Sequence, residues 1–233
     1  MSMTKNRSEW HQTIRPDLSF ERNLWEAGIT WIAGIDEAGR GALAGPVTAA
    51  ALVLPADPNL LDRLAGVRDS KQLSPQKRTY WAERLRQSAV AWGVGFASHV
   101  EIDAQGILPA TQLAMQRAID SMADTPEHLL LDYLFLPDCH LPQTALIKGD
   151  ARCLSIAGAS ILAKTARDAF MIGLDKNYPG YGFASHKGYC TQRHIEAIQH
   201  LGACPFHRCS FAPLNGLPEQ VKSPVRTSPS SKR

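Results

Sequence analysis

The chain has 233 residues, 44% of them hydrophobic and 20% charged, which suits one globular α/β domain with tails better than two full domains. No run of about 18 uncharged apolar residues occurs and MSMTKNRSEWHQ lacks the apolar core of a secretory signal, so no membrane contact and a cytoplasmic location are expected. The formal net charge of +3 does not by itself mark a nucleic-acid binder: residues 217–233 hold Lys222, Arg226, Lys232 and Arg233 against Glu219, leaving the rest of the chain balanced.

In chain order, residues 1–20 are polar and aperiodic and read as a loose N-terminal arm. WIAGID (31–36) is a short apolar strand ending at the acidic pair Asp36 and Glu37, GRGALAG (39–45) is a glycine-rich turn, and VTAAALVL (47–54) is a second strand. Ser74 then Pro75 is an N-cap followed by proline at the first helical position, and Trp81, Leu85 and Ala89 recur at helical spacing. AWGVGFAS (91–98) is a third strand. A second helix covers 108–123, with Ala114, Ala118 and Met122 beside Met115 and Ile119 on one stripe. HLLLD (128–132) and TALIKGD (144–150) read as buried strands, each ending in Asp. Helices follow over roughly 153–173 and 191–201. Ala157, Gly158, Ala159 and Ser160 in the first of these imply close packing. Residues 217–233, rich in Pro, Ser and basic side chains, read as a disordered tail, which leaves one domain over 21–216. Strands alternating with helices imply an α/β layer structure.

Three strands thus end in carboxylates: Asp36 with Glu37, Asp132, and Asp150. A single Asp there is a turn former or a helix cap, and Asp150 reads as a cap of the helix after it. Three such ends on neighbouring strands would gather four like charges, which repel unless a cation sits among them. Oxygen-rich acidic clusters suit Mg²⁺ or Mn²⁺, and two such ions activate water and stabilise the leaving oxygen of a phosphodiester. Five cysteines, an odd number with no CxxC pair, argue for reduced thiols rather than a disulfide scaffold. Cys190, His194, Cys204, His207 and Cys209 are zinc-ligand types, but Cys-x3-His and Cys-x2-His-x-Cys are irregular spacings for a zinc module.

AGIDEAGRGALAGPVTAAALVL strongly resembles the opening motif of the ribonuclease HII family, the bacterial type 2 ribonucleases H. DSKQLSPQKR (69–78), KGDARCLSIAGASILAKTARD (148–168) and YPGYGFASHKGYCTQRH (178–194) agree in the same order, HRCSF (207–211) more loosely, and the resemblance covers roughly 20–215. It implies a ribonuclease H-like mixed five-stranded sheet flanked by helices, with a helical C-terminal part. It also implies hydrolysis of the RNA strand of RNA/DNA hybrids and cutting 5′ of single ribonucleotides in duplex DNA, leaving 3′-hydroxyl and 5′-phosphate ends. Asp36, Glu37 and Asp132 would ligate Mn²⁺ or Mg²⁺, one ion without substrate and a second with it, and Asp150 would complete the catalytic four. Gly39, Arg40 and Gly41 resemble the family's sensor of the ribose 2′-hydroxyl, where missing side chains let backbone approach the sugar. Tyr189 resembles the tyrosine that packs on the following deoxyribose. Lys71, Lys148, Lys164, Arg167 and Lys187 are candidates for phosphate contact, each equally readable as surface charge.

The sequence departs from the family at Tyr133, where Gly is usual and a bulky side chain is expected to reshape the pocket floor, and mildly at Gly158, where Ala is usual. A binding protein without catalysis is disfavoured by the four carboxylates. Ribonuclease HIII is disfavoured because its N-terminal substrate-binding domain has no room before WIAGID. The protein is expected to be a monomer.

Overall fold

A computed structural model describes residues 15–216. Strand β1 (Ile32–Ala38) pairs antiparallel with β2 (Val47–Val53), which pairs antiparallel with β3 (Ala91–Ala97). On its other side β1 runs parallel to β4 (His128–Asp132), and β4 runs parallel to β5 (Gln143–Leu146). The order β3-β2-β1-β4-β5, with helices on both faces, is the expected mixed five-stranded sheet. β2 is buried at every position, as an apolar run covered on both faces should be. The edge strand β3 alternates instead, with Trp92 and Phe96 outward and Gly93, Gly95 and Ala97 inward.

One face packs Ile35, Val47, Leu129 and Leu131 against Ala114, Met115 and Ala118 of α5 (Ile107–Asp120). The approach is close enough that a Cβ at Gly95 would stand 2.1 Å from the Ala114 carbonyl oxygen. The other face packs Ala50 and Leu52 against Ala157 and Leu162 of α7 (Leu154–Asn177) and against Leu85 of α3 (Pro75–Ser88). A Cβ at Gly34 would lie 2.3 Å from the Ser155 carbonyl carbon, so glycine in β1 lets the start of α7 settle directly on the strand that carries Asp36. Ser74 caps α3 by accepting from the Lys77 N–H at 3.4 Å.

Ahead of the sheet, α1 (Ser19–Glu26) slides Glu21 beneath α7, where its carboxylate accepts from the Ser155 N–H at 2.8 Å and the Cys153 thiol at 3.1 Å. This is an N-terminal helix cap supplied by a distant element. Residues 1–14 of the expected arm, and the expected tail 217–233, lie outside the described residues. Residues 15–20 lie on the body: Asp17 bridges to Cys153 and Leu18 is buried. A helical C-terminal part, α8 (Phe183–His186) and α9 (Gln192–Leu201), joins the far end of α7 through Met171, Leu174, Tyr181, Phe183 and Cys204. Among the described residues, no helix is long and apolar enough to cross a membrane.

Two boundaries differ from expectation and both matter for the site. β1 does not stop at Asp36 but continues to Ala38, held by β2 alone. The strand read over 144–150 ends at Leu146; Lys148 turns into the left-handed region (φ 55°) and α6 (Gly149–Arg152) follows, so Asp150 sits in a helical turn.

Candidate active site

β1 stays paired with β2 as far as Ala38 opposite Thr48, but its pairing with β4 ends at Ile35 opposite Leu131. The two parallel strands therefore part directly before Asp36 and Asp132, opening the crevice beyond strand carboxyl ends where α/β sheets hold ligands. Asp150 is brought in by a specific tie: the Gly149 N–H donates to Asp132 Oδ1 at 2.7 Å, closing the turn of α6 against the end of β4. Carboxylate oxygens of Asp36, Asp132 and Asp150 lie within 4.8 Å of one another.

Glu37 follows Asp36 along a strand, where successive side chains leave opposite faces. It stands beside the three rather than among them. Its Oε1 accepts from Arg40 at 3.3 Å, and its Oε2 is buried with no hydrogen-bond partner. Burial, then Glu37 and Asp132, hold the Asp36 carboxyl well above the usual carboxylate range. Burial raises Glu37 against the pull of Arg40, and raises Asp132 against the Gly149 N–H. Asp150 is raised by burial, then by Asp132 and Asp69. Among the described residues, the one cation paired with the three aspartates is Lys71, with Nζ 3.8 Å from Asp150 and a largely exposed side chain. Burial lowers its pKa, but Asp69, Asp36, Asp150 and Asp132 outweigh that and raise it. One solvated ammonium at the aspartates and the Arg40 guanidinium on Glu37 do not offset four carboxylates, and three convergent hard oxygens with an orphaned fourth carboxylate atom fit a Mg²⁺- or Mn²⁺-type ion.

Beside the carboxylates, Gly39, Arg40, Gly41 and Ala42 form a tight turn closed by the Ala42 N–H on the Gly39 carbonyl at 3.3 Å. Its two glycines differ in kind. Gly39 has φ 93° and a Cβ there would stand 1.9 Å from Arg167 Nε, so the protein itself requires glycine. At Gly41 a Cβ would meet nothing within 4 Å and the φ is not left-handed, so nothing within the fold requires glycine.

Tyr189 belongs to the same unit. It bridges to Ala42, and the neighbouring Gly188 carbonyl accepts from the Leu43 N–H at 2.8 Å. The Tyr189 ring lies 5.2 Å from both Lys164 Nζ and the Arg167 guanidinium. Lys164 pairs with Asp168 at 2.7 Å, and Lys187 donates to the carbonyls of Ala184 and Ser185. Lys148 is exposed at the start of α6. Among the candidate phosphate contacts, only Lys71 stands at the carboxylates.

Arg167 is a correction. It is fully buried, donating from Nε to Pro46, from Nη1 to Lys187 and from Nη2 to Ala44, all carbonyl oxygens at 2.9–3.0 Å, and so has no face left for a phosphate. Tyr133 is another. Its side chain is 69% exposed and lines no pocket floor; the departure falls on the backbone, held at φ 62°. The cysteines and histidines at 190–209 do not gather three ligand atoms among the described residues. His194 and His207 instead bond each other, Nε2 to Nε2 at 3.1 Å.

Arg208 and Glu21 were not legible as special positions, and the histidine pair was legible only as zinc-ligand types, not as partners of each other. Arg208 is fully buried, and burial, then Arg167, push its pKa down to about 9. Its one sequence signal is its place in HRCSF, which periodicity does not interpret.

A sequence profile of the family described as Ribonuclease HII matches residues 33–214. The ribonuclease HII of Synechococcus sp. (strain JA-3-3Ab) is 53% identical, over 88% of this chain and 92% of that protein. That of Myxococcus xanthus (strain DK1622) is 52% identical, over 92% of this chain and 73% of that protein. Among solved structures, the ribonuclease H2 of Pyrococcus horikoshii OT3 superposes with a TM-score of 0.68 at 25% identity, covering 82% of this chain and 98% of that one.

Proposed function

The chain belongs to the ribonuclease HII family and is a type 2 ribonuclease H, a divalent-metal-dependent endonuclease, and on that premise we propose its substrate and the roles of its residues. It cuts the RNA strand of RNA/DNA hybrids and nicks duplex DNA 5′ of single ribonucleotides, leaving 3′-hydroxyl and 5′-phosphate ends. The observation that carries this reading is the convergence of Asp36, Asp132 and Asp150 beside a turn whose Gly41 has an open side.

Asp36, Glu37 and Asp132 hold Mg²⁺ or Mn²⁺, and Asp150 completes the set needed for a second ion once substrate is bound. When bound, the metal supplies an activated water and neutralises charge developing on the phosphodiester. Lys71 faces the same phosphate as a point charge, and Lys148 and Lys164 steady the duplex backbone without reading its sequence. The Gly39–Gly41 turn meets the ribose, where the 2′-hydroxyl separates RNA from DNA. Tyr189, fixed to that turn through Ala42, packs on the sugar that follows. The enzyme acts as a monomer through the domain expected at 21–216, to which residues 15–20 are joined by the Asp17–Cys153 bridge and the buried Leu18.

Purified protein with Mg²⁺ or Mn²⁺ is expected to nick a DNA duplex carrying one ribonucleotide. Asp36→Asn or Asp132→Asn should reduce this by at least about a thousandfold, since each removes charge from the metal-holding set. Intact substrate with wild-type protein in both metals would sink the assignment. Full cutting of the 2′-deoxy duplex would remove the sugar-sensing role from the turn.

A further inference from the structure

We infer that Arg208 is a positioning residue for telling ribose from deoxyribose: by holding the Arg40 carbonyl inward, it aims the Gly41 N–H at the sugar of the bound strand. The inference rests on the reading of the Gly39–Gly41 turn given above. Arg208 is fully buried and makes no ion pair among the described residues. Its Nη1 donates to the Arg40 carbonyl at 2.8 Å and its Nε to the Gly45 carbonyl at 3.0 Å, while Nη2 is buried without a partner. Burying a guanidinium on neutral carbonyls is costly; this one lies 5.1 Å from the Phe211 ring and makes its two bonds to the Gly45 carbonyl and, within the turn, the Arg40 carbonyl.

That orientation has a consequence at Gly41. The Arg40–Gly41 peptide is trans, so its C=O and N–H point in opposite directions. With the Arg40 oxygen drawn inward, the Gly41 N–H must face outward. Neither it nor the Arg40 N–H has a protein acceptor among the described residues, and Gly41 is exposed with open space where a side chain would stand. A free donor and room for an approaching group therefore coincide at one residue, next to the Arg40 that pairs with Glu37. A ribose 2′-oxygen accepts from such a donor; a deoxyribose has nothing there to accept with.

The test uses full-length protein carrying Asp132→Asn, so that nothing is cut, and measures Kd for a single-ribonucleotide duplex and for its all-DNA counterpart. The preference for the ribonucleotide, about tenfold for one hydrogen bond, should collapse in Arg208→Met with all-DNA affinity unchanged. In the cutting enzyme Arg208→Met should lower kcat/KM about a hundredfold, and Arg208→Lys, keeping one donor, should fall between. Equal weakening of both duplexes with the preference intact would mark Arg208 as scaffold only and overturn the inference. Gly41→Ala separates the two readings, since its Cβ meets nothing in the fold. If Gly41→Ala keeps both preference and cutting, the turn assignment itself fails; if it loses them while Arg208→Met does not, the Arg208 inference alone fails. Should Arg208→Met not fold, Arg208→Lys carries the same Kd comparison with hydrogen exchange at the Gly41 amide beside it: protection by the ribonucleotide duplex is expected to fall below that of wild type, and protection and preference equal to wild type overturn the inference.

Discussion

Among the described residues, three non-glycine residues adopt left-handed backbone, Tyr133, Lys148 and Lys187, and all three lie near the carboxylates or Tyr189. Strain of this kind persists where the surroundings over-determine it. Tyr133 follows Asp132 directly and is locked by its own N–H on the Leu146 carbonyl at 3.0 Å, while Asp132 is held by Gly149. Left-handed backbone at an aromatic residue costs about 1–3 kcal/mol, against roughly 0.5–1 kcal/mol lost to the greater unfolded freedom of glycine. Strain wins, and Tyr133→Gly is expected to stabilise the protein by about 1 kcal/mol, read as a higher urea midpoint at unchanged slope. Because the ring is exposed, Tyr133→Ala should leave the midpoint near wild type. A midpoint lowered by glycine would show that the ring contributes packing that the geometry does not reveal. The expectation of a reshaped pocket floor placed the effect of this residue on the wrong part, since a sequence cannot tell a side-chain problem from a dihedral one.

At the scale of elements, the strands and long helices were legible where local pattern and tertiary burial agree: β2 as a continuous apolar run, α3 from Ser74 and Pro75, α5 from its stripe. α4 (His99–Gln105) was overlooked although Ser98 and Glu101 form a full capping box, a local signal that was there to read. α6 had no such signal, because its turn is set by the Gly149 N–H reaching Asp132 seventeen residues away. The C-terminal elements are joined by a relay equally invisible to periodicity. The Cys204 N–H donates to His207 Nδ1 at 2.8 Å, which makes His207 Nε2 the donor to His194 Nε2 and leaves His194 Nδ1–H for the Tyr189 carbonyl at 3.0 Å. Both imidazoles must be neutral for this chain, and burial pushes each pKa down to about 4. The folded values lie below the unfolded value of about 6.5, so unfolding takes up protons, and the stabilisation is complete above that value and lost as pH falls toward about 4. The carboxylates, raised in the fold, act in the opposite sense, so the informative quantity is the difference in Tm between wild type and His207→Gln. That difference should shrink steadily from pH 6.5 to 4; a gap independent of pH would mean that the imidazoles are not held neutral by the fold.

For the molecule as a whole, the carboxylates are a standing charge that the sheet, α6 and the glycine turn hold together against repulsion. A fold that raises the pKa of Asp36, Glu37, Asp132 and Asp150 together is less stable than one with a neutral group in their place, unless a cation joins them. Asp36→Asn should therefore stabilise the metal-free protein by about 1–2 kcal/mol while destroying activity, the usual exchange at a site built for function. Metal should reverse the ranking. A ligand that binds only the folded state at a hundred times its Kd adds about 2.7 kcal/mol, which for a domain of this size is a rise in Tm of roughly 5–10 °C. Adding Mg²⁺ or Mn²⁺ to EDTA-treated wild type is expected to give that rise, and the same addition to Asp36→Asn a small fraction of it. The C-terminal part should follow, because Tyr189 and the turn are bridged through Ala42, so hydrogen exchange at Ala42, Leu43 and Tyr189 should slow with metal in wild type and not in the variant. A wild type that melts at the same temperature with EDTA and with saturating metal would separate the carboxylate cluster from metal binding altogether.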